Sequence, residues 1–226
     1  MTLAYIVEHM EEDDESTKSV PPWVELEYAH MRTLAGQTGE VHFTHLSKSS
    51  CDGLLKSPVF QHPSSSEFTQ AKSQVAGAFV HQIGVLELMK ENGVSISEVC
   101  LLDPKAEESL KPEDGKGAFK WFLFGGILGD DPPRDRTSEL RVLGFPTRHL
   151  GSVQMTTDTA VGVTKLVADD GIRLSDIEYI DFPTIRFNSK ESVEMPFRYI
   201  QRDTEPLLPP GMKELLHEDL NKSFDF

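Results

Sequence analysis

Three short apolar runs, each ending in an acidic residue or a glycine, dominate the pattern of hydrophobic positions. The runs are residues 4–7 before Glu8, residues 99–102 before Asp103, and residues 119–124 before Gly125. A nearly continuous apolar run that stops at a turn is typical of a strand buried on both faces of a parallel sheet. The carboxyl ends of such strands lie along one edge of an α/β sheet, where ligands bind. We therefore expect an α/β fold with a mostly parallel sheet and one site built from several loops.

Segments with helical spacing of apolar residues separate these strands, so helices should cover both faces of the sheet. The pattern predicts helices at residues 23–34, 71–90, 138–143, 159–168 and 212–220, and residues 106–110 are compatible with another. It predicts further strands at residues 41–46, 147–150, 177–180 and 197–200. Residues 48–70 are rich in Ser and Pro, so we expect a loop or an insertion there.

The length of 226 residues and the apolar content of 38% are sufficient for a single domain with a real core. No apolar run approaches about 18 residues, and the first residues do not resemble a signal peptide, so we expect no membrane span and a cytoplasmic protein. The two cysteines, Cys51 and Cys100, have no metal-ligand spacing. His42 and His45 would lie on opposite faces of a strand, so we expect no metal site.

The chain is strongly acidic, with 37 Asp and Glu against 22 Lys and Arg and a formal net charge of −15. A surface of this charge repels nucleic acid, whose phosphates are usually contacted by basic side chains. It favours a basic substrate or partner instead. The acidic block at residues 11–15 is either a solvated loop or an acidic lip for a cationic substrate.

A glycine-rich segment, residues 125–130, follows the third apolar run. It lacks the lysine of a P-loop and the G-x-G-x-x-G spacing of a dinucleotide fingerprint. Asp130 and Asp131, directly after the glycines, would repel a phosphate. Because glycine has no Cβ, a ligand can approach this backbone closely. The pattern fits a cationic or neutral ligand held by backbone groups, or a purely structural turn.

Several motifs resemble one family over most of the chain. They are LLDP at residues 101–104, FGGILGD at 124–130, PPRDRT at 132–137, QMTTDTA at 154–160, IDFP at 180–183 and EMPFRY at 194–199. The segments YIVEHMEE and WVELEY near the start agree with the same family. The chain thus resembles the fungal and archaeal branch of the SPOUT methyltransferases, and the resemblance is weakest between residues 48 and 98.

The resemblance implies a SPOUT-type fold with a deep trefoil knot at residues 99–171, followed by a C-terminal extension at residues 172–226. It also implies that S-adenosyl-L-methionine binds the knot loops and leaves as S-adenosyl-L-homocysteine. By position, the cofactor-binding residues would be Leu102, Pro104, Phe124, Gly125, Gly126, Ile127, Leu128, Gly129, Leu143, Gly144, Leu150, Gln154, Met155, Thr156 and Thr157.

The implied reaction moves a methyl group from a sulfonium to a guanidinium nitrogen. A guanidinium is a poor nucleophile until a proton leaves, so the site needs a carboxylate that orients the group and accepts a proton. The catalytic candidates in loops beside the implied cofactor are Asp130, Asp158 and Glu8. Asp158 has an alternative role as a cap of the helix at residues 159–168. The residues themselves leave the choice of base open.

The resemblance and the acidic charge together predict a protein-arginine N-methyltransferase acting on a ribosomal protein of the small subunit. The alternatives are an RNA methyltransferase with the same fold and a non-catalytic ribosome-associated binding protein. SPOUT enzymes are typically dimers. The long segment after Gly171 would cover the surface that usually dimerises, which favours a monomer here.

The acids Glu8, Glu11 and Glu12 are predicted to attract the basic segment of the substrate. Replacing two of them together, Glu11→Gln with Glu12→Gln, should therefore weaken binding of a basic protein substrate at low salt. The loss should shrink as salt is added, because screening weakens attraction between exposed charges. Binding titrations at two ionic strengths measure the effect, and an unchanged affinity at low salt would contradict the hypothesis.

Overall fold

A computed structural model describes residues 2–63, 75–126, 135 and 137–222, and a six-stranded sheet lies at their centre. Its strands are β1 (Ala4–Glu8), β2 (Glu40–Thr44), β3 (Gly77–Val80), β4 (Val99–Leu102), β5 (Trp121–Gly125) and β6 (Thr147–Arg148). They lie in the order β3-β2-β1-β5-β4-β6, and each neighbouring pair is parallel. The three apolar runs therefore form the adjacent strands β1, β5 and β4, and the predicted parallel α/β sheet is confirmed.

The remaining elements surround this sheet or follow it. The helices are α1 (Pro22–Ala35), α2 (Lys48–Lys56), α3 (Pro58–Gln61), α4 (Val85–Asn92), α5 (Ser138–Arg141), α6 (Thr157–Ala168) and α7 (Met212–Lys222). Single 3₁₀ turns lie at Ile96–Glu98, Pro112–Gly115 and Leu174–Asp176. The later strands are β7 (Tyr179–Asp181), β8 (Thr184–Arg186), β9 (Ser192–Glu194), β10 (Arg198–Arg202) and β11 (Glu205–Pro206).

The core has two layers because side chains on each strand alternate between the faces of the sheet. On β1, Tyr5 and Val7 pack into the layer that contains α1 and α6. Ala4 and Ile6 pack into the opposite layer, which contains residues of α4 and α5. Helices thus cover both faces, as predicted, and the central strands are apolar on both sides.

The helices α1 and α6 pack closely on the first of these faces. Within α6, Val161, Val163 and Val167 are fully buried. A Cβ added at Gly162 would lie 3.1 Å from a methyl carbon of Leu34 on α1 and 3.1 Å from one of Ile200 on β10. The missing side chain therefore lets α1 and β10 approach α6 from two sides.

The residues that follow α6 return to the main body through β10. This strand pairs antiparallel with β7 and with β11, and β8 pairs with β9 in a separate hairpin. At the start of β10, the backbone N–H of Arg198 donates to the carbonyl oxygen of Gln154 at 2.8 Å. The C-terminal segment thereby holds the loop that precedes α6.

The helix predicted at residues 71–90 is wrong. The described part of this range contains the edge strand β3 and the later helix α4, separated by a turn at residues 81–84. Exposed and partly buried side chains alternate along β3, which pairs with β2. Phe79 and Ile83 are four residues apart, which matches helical spacing. In the structure, however, Phe79 lies on β3 and Ile83 lies in the turn that follows it. Pairing with a neighbouring strand therefore overrode a weak helical pattern.

The loop predicted at residues 48–70 is also wrong where the structure describes it, because α2 and α3 lie there. Their serines are caps: the side chain of Ser47 accepts from the N–H of Ser50, and that of Ser57 accepts from the N–H of Phe60. Such caps satisfy free N–H groups at a helix start. Residues 64–70 lie outside the described part of the chain. Residues 106–110, compatible with a helix by sequence, are irregular apart from a bridge at Ser109.

Two further expectations bear on the fold as a whole. Across the described residues, every helix is too short or too polar to cross a membrane. The trefoil knot at residues 99–171 remains a prediction, because part of this range lies outside the described residues.

The packing of a tight turn on the end of α6 can be tested at Gly115. A Cβ at this position would lie 1.9 Å from the backbone oxygen of Ala168, which cannot move without disturbing α6. Gly115→Ala should therefore lower the free energy of unfolding by about 2 to 3 kcal/mol, measured by urea denaturation. As a control, Gly77→Ala places its Cβ 3.5 Å from the ring of Phe79 and should change stability by less than about 1 kcal/mol. Equal unfolding midpoints for the two variants would contradict this packing.

Candidate functional site

A cavity of about 320 Å³ opens at the carboxyl edge of the sheet, beside β4 and β5. Its walls come from the ends of these strands, the loop before α6 and the first turns of α6. The lining residues are Leu102, Asp103, Pro104, Lys105, Phe124, Gly125, Asp135, Thr137, Arg141, Leu150, Gly151, Ser152, Val153, Gln154, Met155, Thr157 and Ala160. The position is the one expected for a ligand site in a parallel α/β sheet.

The inner wall is apolar because of the strand register. Leu101 of β4 pairs with Leu123 of β5, so the next residues, Leu102 and Phe124, reach the cavity side by side. Both side chains belong to the core layer that contains α6. Leu150 and Met155 add apolar surface from the loop before α6. A flat, mostly apolar ligand with a few polar groups fits such walls.

The loop at residues 150–155 is held by Arg198. Besides its backbone bond to Gln154, Arg198 forms a bidentate ion pair with Asp181, at 2.6 and 2.8 Å. The hydrogen bond from Arg198 lowers the pKa of Asp181. Gly151 has φ +117°, a conformation that favours glycine, and allows the loop to turn. The cavity wall is therefore fixed by a residue of the C-terminal segment.

Gly126 directly follows β5 and is hydrogen-bonded both to the end of β1 and to the start of α6. Its N–H donates to the carbonyl oxygen of Glu8 at 2.9 Å, and its carbonyl oxygen accepts from the hydroxyl of Thr157 at 3.1 Å. A Cβ at Gly126 would lie 2.7 Å from the Cβ of Met10. Glycine is needed here because the loop after β1 packs directly on the backbone.

A network of ionic groups forms the polar side of the cavity. Arg141 on α5 binds both carboxylate oxygens of Asp103, with Nη2 2.8 Å from Oδ1, and also contacts Asp135 at 3.0 Å. Lys105 Nζ also binds Asp135, 2.5 Å from its Oδ2. Hydrogen bonds from Arg141 and Lys105 lower the pKa of Asp135 to about 2. Burial raises the pKa of Asp103, but bonds from Arg141 and from a backbone N–H outweigh it and leave a lowered pKa.

The structure brings many of the residues predicted to bind the cofactor to this one cavity. Those that line it are Leu102, Pro104, Phe124, Gly125, Leu150, Gln154, Met155 and Thr157. Gly126, Leu143, Gly144 and Thr156 lie close in sequence but do not line it. Ile127, Leu128 and Gly129 lie outside the described residues.

Glu8, a predicted catalytic residue, points to the opposite face of the sheet from the cavity. Its carboxylate accepts a hydrogen bond from the hydroxyl of Thr44 and another from the N–H of Val85 at 2.9 Å. Val85 is the first residue of α4, so Glu8 satisfies a free N–H at a helix start. These contacts give Glu8 a structural position in place of the predicted catalytic one. Asp130, another candidate, lies outside the described residues.

Asp158 is not the helix cap that the sequence offered as its alternative role. The helix α6 begins at Thr157 with Thr156 as its N-cap, so Asp158 lies inside the first turn. Its side chain is fully buried and faces α1, where Oδ2 lies 2.7 Å from Nδ1 of His30. It therefore lies behind the cavity wall, one residue along the helix from Thr157.

Two groups of polar residues escaped sequence reasoning. Asp103 and Arg141 line the cavity, and the signal for Asp103 was its position directly after an apolar strand. Glu27 and His30 lie on α1 and are buried, each 4% exposed. Their helix was predicted from its apolar residues, and nothing in the local pattern indicated that these polar groups face inward.

A mostly apolar cavity at the carboxyl edge of a parallel sheet, bounded by a glycine turn and by an ionic network, defines an α/β protein that binds a small ligand. The family of SFM1-like protein arginine N-methyltransferases matches residues 4–223. The chain belongs to this family, and the resemblance seen in the sequence is confirmed.

Individual relatives agree with this membership. The protein arginine N-methyltransferase SFM1 of Saccharomyces cerevisiae is 37% identical over 236 residues, covering 99% of this chain and 98% of that protein. The crystal structure of yeast SFM1 complexed with SAM has a TM-score of 0.74 and 35% identity, over 97% of this chain and 92% of that one. The complex of yeast SFM1 with SAH has a TM-score of 0.71 and 35% identity, over 94% and 93%. The SPOUT-type fold predicted from the sequence is confirmed by this likeness.

Breaking the ionic network of the cavity should destabilise the protein in a pH-dependent way. Arg141→Gln leaves the carboxylate of Asp103, which is 2% exposed, without its cation. We expect a loss of about 2 kcal/mol at pH 7, below the usual cost for a fully buried pair because the side chain of Arg141 is 29% exposed. Both carboxyl groups have lowered pKa values in the folded state. Their contribution to the free energy of unfolding is therefore fully present above the ordinary pKa of 3.8. It is lost as the pH falls toward about 2.

Urea denaturation of wild type and Arg141→Gln at pH 7 and pH 3 measures this effect, and the difference in stability should narrow at the lower pH. Arg173→Gln is the matched control, because its pair with Asp176 is exposed and should contribute little to stability. A difference between wild type and Arg141→Gln that is independent of pH would contradict the assignment.

Proposed function

We propose that this protein is an S-adenosyl-L-methionine-dependent protein-arginine N-methyltransferase. The observation that carries the proposal is a cavity built from the cofactor loops in a chain that matches an arginine methyltransferase over 99% of its length. Yeast SFM1 has been crystallised with SAM and with SAH, the methyl donor and its product. We infer the same pair of ligands for the cavity described above.

The residues present fit this cofactor. The volume of about 320 Å³ is in the range of small-molecule sites, and its walls combine apolar side chains with backbone at Gly125 and Gly151. Leu102, Phe124 and Met155 would pack against the adenosyl part. Gln154 and Thr157 offer an amide and a hydroxyl for its polar groups.

When bound, S-adenosyl-L-methionine supplies a methyl group on a positively charged sulfur. The chain's own contribution is to position the two reactants and to keep water away from them. The fixed wall at residues 150–155 and the buried ends of β4 and β5 serve this purpose, because few of their groups can rearrange. The inferred proton acceptor must then be a carboxylate near the acceptor nitrogen.

The charge of the molecule supports a basic protein as the acceptor. The net charge is −15, and part of it comes from the acids at residues 11–15, in the loop that follows β1. Hydrogen bonds from Ser16 and Thr17 lower the pKa of Asp14 to about 2, so this loop keeps its negative charge over a wide pH range. We propose an arginine in a basic segment of a small-subunit ribosomal protein as the substrate. We also propose that the chain acts as one cytoplasmic domain and as a monomer.

Filling the cavity should abolish both cofactor binding and methyl transfer. Ala160→Leu adds three carbons to a residue of α6 that lines the cavity. Wild type should be stabilised by S-adenosyl-L-homocysteine, by about 2.7 kcal/mol at 100 times the dissociation constant, and Ala160→Leu should lose this shift. Ser97→Leu is the control, because it adds a leucine to an exposed turn at the amino end of β4.

Transfer of labelled methyl to separated ribosomal protein and RNA fractions tests the activity itself. Label recovered as methylarginine from the protein fraction, and absent with Ala160→Leu, would support the proposal. Label in RNA would instead favour the RNA methyltransferase. A chain that binds S-adenosyl-L-homocysteine yet transfers no label would favour the non-catalytic binding protein.

A further inference from the structure

A cluster of buried polar side chains lies between α1, α6 and β10, outside the cavity. It consists of Glu27 and His30 from α1, Asp158 from α6 and Tyr199 from β10, which are 4%, 4%, 0% and 1% exposed. Acidic residues are rarely buried to this extent unless they are paired. The cluster therefore needs an explanation that the fold alone does not supply.

Several polar atoms of this cluster lack a hydrogen bond. His30 Nδ1 lies 2.7 Å from one oxygen of Asp158, but within the described part of the chain the other oxygen has no partner. The same holds for Oε2 of Glu27 and for the hydroxyl of Tyr199. An unmade hydrogen bond of a buried charged group is costly, so these atoms are positioned for a ligand that donates several hydrogen bonds.

The charges of the cluster act on one another. Burial raises the pKa of Glu27 well above its ordinary value, and the charges of Asp158 and Glu11 raise it further. Burial also raises the pKa of Tyr199, and Asp158 and Glu27 add to this shift. No Lys or Arg among the described residues forms an ion pair with Glu27 or Asp158. The cluster is thus a buried, net negative site without a strong cation.

The cluster adjoins the proposed cofactor cavity. Asp158 directly follows Thr157, which lines the cavity, and Tyr199 directly follows Arg198, which holds the cavity wall at Gln154. Glu11, in the loop after β1, is half-buried and acts electrostatically on Glu27. Acidic groups therefore extend from a partly exposed loop to a position just behind the cavity wall.

We propose that Glu27, Asp158 and Tyr199 form the pocket for the guanidinium of the acceptor arginine, and that Glu27 accepts its proton. The inference rests on the proposed methyltransferase function and assigns the acceptor site to residues outside the cofactor loops. A guanidinium is planar, positively charged and rich in N–H donors, so it can satisfy two carboxylates and a phenol oxygen together. A lysine ammonium lacks this planar fork and fits the site less well.

The two carboxylates have different roles because their surroundings differ. The negative charge of Asp158 is stabilised by the hydrogen bond to His30 and by the positive end of α6. It therefore orients the guanidinium. Glu27 has no hydrogen bond to His30 and does not lie at the start of α6. Burial raises its pKa and so favours the protonated form.

In the proposed methyl transfer, two bonds break and two bonds form. A guanidinium N–H bond breaks and its proton moves to an oxygen of Glu27. The same nitrogen forms a bond to the methyl carbon as the carbon–sulfur bond breaks and its electron pair returns to sulfur. The products are a methylated guanidinium, S-adenosyl-L-homocysteine and protonated Glu27, which then releases the proton to water.

Glu27→Gln keeps the shape of the side chain and removes its charge, so it separates a catalytic role from a structural one. We expect methyl transfer to an arginine peptide to fall at least about 100-fold. The variant should still show the thermal shift with S-adenosyl-L-homocysteine, and its melting temperature without ligand should be unchanged or higher, because a desolvated and repelled charge is removed. Glu87→Gln, on the exposed face of α4, is the control that should match wild type.

The pH profile gives a second readout, because Glu27 must be ionised to accept a proton. Its raised pKa predicts that kcat/KM of wild type rises with pH well above the ordinary glutamate value of 4.5. The charged and titratable groups facing it are Asp158, Glu11, Tyr199, Tyr28 and His30. This rise of kcat/KM with pH should be absent in Glu27→Gln. If Glu27 had only a structural role, the variant would keep the rise.

Tyr199→Phe removes only a hydroxyl and tests the pocket if the glutamate variant fails to fold. It should raise KM for the arginine peptide about 10-fold, with little change in kcat. Wild-type transfer rates in both variants would overturn the acceptor site while leaving the proposed function intact. Absence of transfer to arginine by wild type would overturn the proposed function itself and, with it, this site.

Discussion

The burial of α6 between α1 and the sheet is the interaction on which both sites depend. Val161, Val163 and Val167 are fully excluded from water, and each such side chain stabilises the fold by about 1.5 to 3 kcal/mol. This packing fixes the rotation of α6 about its own axis. Thr157 then faces the cavity, and Asp158, the next residue, faces the interior beside α1. The amino end of α6 therefore contributes Thr157 to the cofactor cavity and Asp158 to the proposed arginine site.

The acidic groups that line the cavity and those that lie behind it have two different kinds of surroundings. Two guanidinium nitrogens of Arg141 bind Asp103, and Asp135 binds both Arg141 and Lys105, so each carboxylate of this group has a cationic partner. Among the described residues, Asp158 pairs with the imidazole of His30, and no Lys or Arg pairs with Asp158 or with Glu27. A completed network is rigid and shapes a wall, whereas an incomplete one retains affinity for an incoming cation. For this reason we assign the cofactor to the cavity beside Asp103 and Asp135, and the acceptor arginine to the cluster of Glu27 and Asp158.

Much of the fold could be predicted from the sequence, because the apolar runs of β1, β4 and β5 have one dominant interpretation. Leu102, Gly125 and Gln154 could be placed near one ligand because they follow strands or belong to familiar motifs. Glu27 and His30 could not, because their inward orientation depends on the rotation of α1 against α6. The edge strand β3 was missed for a similar reason: its pairing partner is more than 30 residues away in sequence.

The bond between Arg198 and Gln154 has a consequence for the order in which the protein matures. Every residue that lines the cavity lies at or before position 160, but the strand that fixes its wall begins at position 198. A ribosome that has synthesised the chain through α6 has therefore produced every lining residue of the cavity, but not yet the strand that holds its wall. The growing chain can complete this site only after residues 198–202 have been synthesised, when β10 folds back onto the loop before α6.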